Sequence, residues 1–151
     1  MAKIALMTGT VYGSALEVAS QLQQRLVGLG HQAQLFYPAK LNEVRQFDAD
    51  HWLIVTSTTG QGDIPDDLLP FFLQVNNEFP LLTGKSWGIV ALGDSSYGDT
   101  FCGAGRQWRE LLLQLNGNEI AEMLCIDATE TLLPEQPSLA WLHQHYQHLT
   151  L

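Results

Sequence analysis

Short apolar runs rich in Ile, Val and Leu alternate along this chain with stretches whose apolar positions recur every three or four residues. That alternation predicts strands and helices taking turns. Strands are expected near 3–8, 32–37, 51–57, 86–92 and 119–126, each apolar enough to be buried on both faces. The arrangement predicts an α/β sandwich around a sheet of five parallel strands, the last of them uninterrupted. In the first helix Ala15, Ala19, Leu22, Leu26 and Leu29 form one stripe that stops at Gly30, a residue suited to a left-handed helix end. A second helix is expected to open at Asp63-Ile64-Pro65-Asp66-Asp67, with the proline in its first turn and Asp66 and Asp67 capping free N–H groups. Two further stripes, Trp108, Leu111, Leu112, Leu115 and Leu139, Leu142, Tyr146, Leu149, predict helices packed on the sheet, the last introduced by Pro134 and Pro137. Trp52, Trp87, Trp108 and Trp141 are spread over strands and helices and read as core.

Composition narrows the class. With 151 residues, 46% of them hydrophobic, the chain can bury one substantial core, so residues 1–151 are expected to form a single domain. No apolar run is long enough to span a bilayer, and Met1-Ala2-Lys3 runs into the first strand without the regions of a signal peptide. A cytoplasmic protein with no membrane partner is expected. Seven Lys and Arg residues and a net charge of -9 disfavour nucleic acid, whose phosphates need cations, and favour basic-surfaced protein partners. Cys102 and Cys125 make no C-x-x-C pair and are expected as free thiols. His143, His145 and His148 have spacings that spread them around a helix, so no metal site is expected.

The candidate chemistry lies in three loops. Thr8-Gly9-Thr10-Val11-Tyr12-Gly13-Ser14 follows the run Ile4-Ala5-Leu6-Met7 and reads as a strand turning into a helix start. The first amide N–H groups of such a helix have no intrahelical partner and can collect a phosphate, with the Thr10 and Ser14 hydroxyls adding donors. The loop has no Lys or Arg, which excludes a Walker-type nucleotide loop and suits a monophosphate. Ser57-Thr58-Thr59-Gly60-Gln61-Gly62-Asp63 and Gly93-Asp94-Ser95-Ser96-Tyr97-Gly98-Asp99 follow the third and fourth strands and are equally rich in glycine and hydroxyls. Ligands of open parallel sheets sit beyond the carboxyl ends of the strands, where strand order reverses. Three such loops at those ends predict a phosphate-bearing ligand.

In order and spacing these loops resemble the flavodoxin family, with Thr56-Ser57-Thr58-Thr59-Gly60-Gln61-Gly62-Asp63 and Ala91-Leu92-Gly93-Asp94-Ser95-Ser96-Tyr97 carrying the match. The resemblance covers the whole chain and is nearest to short-chain, MioC-like or YqcA-like members. It implies a three-layer sandwich with sheet order 2-1-3-4-5, FMN as cofactor and electron transfer without a substrate reaction of its own. A monomer is implied, passing electrons between an NADPH-dependent flavodoxin reductase and acceptor redox enzymes, iron-sulfur enzymes among them. Carried over, Thr10, Val11, Tyr12, Gly13, Ser14 and Ala15 would hold the phosphate, with Thr8 and Gly9 leading into the loop. Ser57, Thr58, Thr59, Gly60 and Gln61 would border the isoalloxazine, and Leu92, Gly93, Asp94, Tyr97, Phe101 and Cys102 would close its other side, with Gly98 and Asp99 in the same loop. Tyr97 would stack on the ring. Gly60 would turn its peptide so that the carbonyl accepts a hydrogen from flavin N5 in a neutral semiquinone.

Two positions depart from the family pattern: Thr59 stands where many flavodoxins have an aromatic, and Gly98-Asp99-Thr100 puts three residues between Tyr97 and the Phe101-Cys102 pair where relatives usually have two. From Asp63 to Asp99 the acids Asp63, Asp66, Asp67, Glu78, Asp94 and Asp99 face only Lys85, which predicts a negative cofactor end that disfavours an anionic reduced flavin and steers basic partners. An NAD(P)H-dependent FMN quinone reductase on the same fold stays open as the alternative, although there is no G-x-G-x-x-G and no acid closes the second strand at Phe36-Tyr37-Pro38. A phosphate-receiver domain would need acids where the chain has Thr8 and Ser57.

Overall fold

Residues Lys3–Gly9 form β1, buried beyond Lys3, with Ile4 and Leu6 facing one helix layer while Ala5 and Met7 face the other. The computed structural model describes residues 2–59, 61–94, 98, 101–128 and 133–146. After β1 come α1 (Ser14–Gly28), β2 (Gln32–Phe36), α2 (Leu41–Phe47), β3 (His51–Thr56), α3 (Leu69–Glu78) and β4 (Ser86–Gly93). The chain continues through α4 (Gly103–Gln114), β5 (Asn118–Glu119), β6 (Leu124–Asp127) and α5 (Glu135–Tyr146). Every strand pairing is parallel, and the order β2-β1-β3-β4-β5, with β6 also on β4, is the expected 2-1-3-4-5 sheet.

Two apolar cores flank the sheet. Val18, Leu22 and Leu26 of α1 pack with Trp141, Leu142 and Tyr146 of α5 on one face. On the other, Leu41 and Val44 of α2, Phe71 and Val75 of α3, and Trp108, Leu111 and Leu112 of α4 form the second layer. Each large aliphatic side chain so buried contributes about 1.5 to 3 kcal/mol. All four tryptophans are buried, as their distribution predicts.

Four local expectations give way to the tertiary structure. The fifth strand is split, because residues 120–123 leave the ladder between β5 and β6 and the Glu122 carbonyl accepts the Trp141 indole N–H at 3.2 Å. β2 is an edge strand, and its alternating Gln-Ala-Gln-Leu residues leave it half-exposed, not buried on both faces. Leu29 caps α1 outside its last turn and is 37% exposed, so it does not extend the buried stripe, whereas Gly30 does take the left-handed conformation at φ 95°. α2 was not expected at all; seven residues hold too few helical repeats to register as periodicity. Leu149 and His148 lie outside the described residues.

At the amino ends of β3 and β4 the polar groups of the interior close on one another. His51 is fully buried, its Nδ1 2.7 Å from Ser86 Oγ and its Nε2 2.5 Å from the hydroxyl of Tyr146, itself buried. Burial, with a smaller push from His31, drives His51 down to about 3. Burial also raises Tyr146 well above the ordinary tyrosine value. Gly88 makes room for this group: a Cβ there would lie 2.5 Å from the Tyr146 hydroxyl and 3.1 Å from Trp141.

Candidate functional site

The opposite edge of the sheet is built differently. Gly9 is in register with Thr56, and Thr56 with Ala91, so the chain leaves β1, β3 and β4 at nearly one level. Ser57 N–H donates to the Gly9 carbonyl at 2.9 Å, which ties the second loop to the first. In the first loop the Thr10 hydroxyl accepts the Gly13 N–H at 2.7 Å, and Gly13 takes φ 94°, a conformation that disfavours other residues. α1 then begins at Ser14 with no side chain capping it, so its leading N–H groups point outward from a loop that carries no cation. Val11 is 44% and Tyr12 95% exposed, while Thr8 is buried below them.

The second loop folds on itself through Thr59. Its hydroxyl accepts the Asp63 N–H at 3.0 Å, its N–H donates to the Asp63 carbonyl at 3.1 Å, and its carbonyl accepts the Gly62 N–H at 2.9 Å. The residue that departs from the family pattern therefore pins the turn. α4 holds the turn from beneath, with the Gln107 side chain donating to the Gly62 carbonyl at 2.9 Å and Gly103 so close that a Cβ would lie 2.7 Å from it. Gln61 is exposed on the outside of this turn.

The third loop returns against the end of β4. A Cβ on Gly93 would lie 2.9 Å from the Cys102 nitrogen and 3.1 Å from the Phe101 ring. Gly98, the other departure, takes φ 63°, a left-handed conformation that glycine adopts without steric cost, and its carbonyl accepts the Phe101 N–H at 3.0 Å. Leu92 is buried, Phe101 and Asp94 are half-buried, and Cys102 is fully buried beneath the loop. Gly60, Tyr97 and Asp99 lie outside the described residues. The hydroxyls of Thr8 and Thr58, at the ends of β1 and β3, are buried with no hydrogen-bond partner among the described groups. The indole N–H groups of Trp87 and Trp108 are unpaired as well, but only the two threonine hydroxyls lie at this edge, beside the open amides of α1.

Two expectations about charge are corrected here. Asp66 and Asp67 do not cap the second expected helix: α3 starts at Leu69, has no side-chain cap, and its first N–H groups turn to the Pro65 carbonyl at 2.9 Å. Asp67 reaches instead to the Thr10 N–H at 3.0 and 3.2 Å and to the Tyr37 hydroxyl at 2.7 Å. Glu78 and Lys85 do not belong to the cofactor end, because α3 runs back along the sheet; Glu78 pairs with Arg45 at 3.3 Å and Lys85 with Asp48 at 3.1 Å near the amino ends of the strands. The two cysteines are brought together, Cys102 and Cys125 lying with Cα atoms 6.2 Å apart. Their separation of 23 residues gives no hint that the start of α4 lies over β6.

Tyr37 has no signal in the sequence beyond its place after the second strand, and it meets Asp67 across 30 residues only because β2 and β3 flank β1. That hydrogen bond, with burial and the carboxylate charge adding to it, raises the Tyr37 hydroxyl above its ordinary value. Among the described residues no cluster of His, Cys, Asp and Glu could hold a metal, and no helix is long and apolar enough to cross a membrane.

Comparison with known proteins agrees with this geometry. The flavodoxin family profile matches residues 6–141. Flavodoxin YqcA of Escherichia coli K12 is 39% identical over 144 residues, spanning 95% of this chain and 96% of the relative. Protein MioC of the same organism is 32% identical over 142 residues, spanning 94% and 95%. A cysteine-to-serine mutant of a flavodoxin from Pseudomonas aeruginosa has the same architecture, with 43% identity, a TM-score of 0.90 and coverage of 94% of this chain and 95% of that one. A cation-free cradle at the β1 switch point, in a sheet of this order and with relatives of this similarity over nearly the full length, means that the chain belongs to the flavodoxin family, close to the short-chain YqcA and MioC proteins.

Proposed function

We propose that this chain binds FMN and carries electrons between redox proteins as a single domain. Flavodoxin homologues bind FMN, and redox protein partners follow from the family. The observation that carries the reading to these residues is the cation-free cradle at the carboxyl edge, with an uncapped helix start and two orphaned buried hydroxyls. That donor set fits a phosphate ester and the polar edge of a flavin. Val11, Tyr12, Ser14 and Ala15 offer backbone N–H groups to the phosphate, Ser14 adds its hydroxyl, and Thr10 shapes the loop through Gly13. Thr8 and Gly9 set the level of the cradle. Ser57, Thr58, Thr59 and Gln61 form one wall of the ring site, and Leu92, Gly93, Asp94, Gly98, Phe101 and Cys102 form or support the other.

FMN, when bound, supplies reversible one- and two-electron reduction. The protein's part is to hold the ring, exclude water and choose which redox state it favours. Gly60 is proposed to accept the N5 proton's hydrogen bond, and Tyr97 to cover one ring face with Asp99 beside it. The exposed acids Asp63 and Asp66, with a chain net charge of -9, make an acidic rim that steers basic-surfaced partners. An NADPH-dependent flavodoxin reductase is the proposed donor and cytoplasmic redox enzymes, iron-sulfur enzymes included, the acceptors, with the carrier working as a monomer.

The test is reconstitution followed by reduction. Purified protein supplemented with FMN and desalted is expected to stay yellow, and stepwise dithionite titration is expected to pass through a blue, neutral one-electron-reduced form. Failure to retain flavin overturns FMN binding. Direct bleaching overturns the role of Gly60 alone, and steady NADPH oxidation by the isolated protein overturns the carrier in favour of a reductase.

A further inference from the structure

We propose that Asp67 is a positioning residue that sets both the place and the charge of the phosphate cradle, weakening its hold on phosphate in order to shape it. The proposal rests on the FMN reading above. Both Asp67 carboxylate oxygens take the Thr10 N–H, at 3.0 and 3.2 Å, so this amide is occupied by the protein's own anion. The Gly13 N–H is likewise taken, by the Thr10 hydroxyl at 2.7 Å. A phosphate must therefore settle on the amides of Val11, Tyr12 and the start of α1, one residue or more beyond the carboxylate. Gly9 allows the approach: a Cβ there would lie 3.1 Å from Asp67 Oδ1 and would collide with Leu68.

The Tyr37 hydroxyl donates to the far oxygen of Asp67 at 2.7 Å, so three connections, those following β1, β2 and β3, are tied at one carboxylate. Such a tie holds Thr10 in place and aims the loop. The same group sets a negative charge beside the site of a dianionic phosphate, with no Lys or Arg in the loop to offset it. Asp67 therefore acts against the phosphate and is indifferent to the flavin ring, and Tyr37 moderates that action by drawing charge toward its hydroxyl.

Two variants and two ligands test this. Asp67→Asn keeps an oxygen for the Thr10 N–H and removes the charge. It is expected to tighten FMN about three- to tenfold, the effect of one unit charge several ångströms away in a largely aqueous dielectric, and to leave riboflavin, which has no phosphate, unchanged. The gain is expected to shrink in high salt. Tyr37→Phe, at a residue 41% exposed, is expected to move FMN the other way by a smaller factor and again spare riboflavin. Dissociation constants from flavin fluorescence quenching give all four numbers, with thermal melts of the unloaded proteins to establish folding. Parallel shifts for the two flavins, or FMN binding left unchanged or weakened by Asp67→Asn in a folded protein, overturn the role of Asp67 while FMN binding by the wild type stands. A wild type that binds neither flavin overturns the FMN reading and this inference together.

Discussion

The two edges of the sheet treat buried hydroxyls differently, although the Trp87 indole N–H at the amino edge has no described partner either. At the amino edge His51, Ser86 and Tyr146 satisfy one another, and Gly88 is vacant of a side chain so that they can. At the carboxyl edge Thr8 and Thr58 keep buried hydroxyls without described partners, and an uncapped helix leaves its first amides open. Desolvated polar groups that find each other rigidify a fold, whereas those left unmatched lower its stability until a ligand matches them. On the proposed function, the first arrangement serves stability and the second serves binding.

The largest test strikes the closed edge. Gly88→Ala is expected to cost about 3 kcal/mol in urea unfolding, because the new methyl meets the Tyr146 hydroxyl and the Trp141 ring. Flavin affinity of the folded fraction should be unchanged; a matching loss of affinity would break the division between the edges. A smaller effect is expected from pH. The folded His51 is held down to about 3 while the unfolded imidazole titrates near 6.5, so between those values the unfolded chain binds the extra proton. Stability is then complete above pH 6.5 and falls as pH drops, by about 1.4 kcal/mol per pH unit from this group, or about 2 kcal/mol by pH 5. His51→Gln should flatten the slope in chemical denaturation measured across that range, and an unaltered slope would remove His51 from the account.

Gly9→Ala applies the same kind of crowding at the open edge, against Leu68 and Asp67. There the expected result is looser FMN binding by about tenfold, equivalent to about 1.4 kcal/mol, measured by fluorescence quenching. The smallest change is expected at a solvent-screened ion pair beside β5. Arg109→Ala removes a two-point pair with Glu119, at 2.7 and 3.1 Å, from an arginine that solvent screens. It should shift the unfolding free energy by about 0.5 kcal/mol or less and leave flavin affinity alone.

Much of this was legible along the chain. Apolar periodicity located the strands and three of the helices, since burial of a repeating face needs only the residues that repeat, and Pro65 marked the approach to a fourth. The loops at Thr8, Ser57 and Gly93 were legible because glycine and hydroxyl residues bear directly on what a local backbone can do. Less legible were Asp66 and Asp67, which have the composition of helix caps; only the turn at Pro65, which starts α3 late, releases Asp67 toward Thr10.

What the amino-acid sequence determined by itself is the class of sheet, the two apolar faces and the three loops that gather at one edge, because each depends on patterns a few residues long. The tertiary structure alone decided that Asp67 joins Thr10 and Tyr37, that Glu78 and Lys85 lie away from the loops, that Cys102 meets Cys125, and that His51 finds Ser86 and Tyr146. Those pairings span from 23 to 95 residues or depend on which way a helix returns, and no local propensity encodes either.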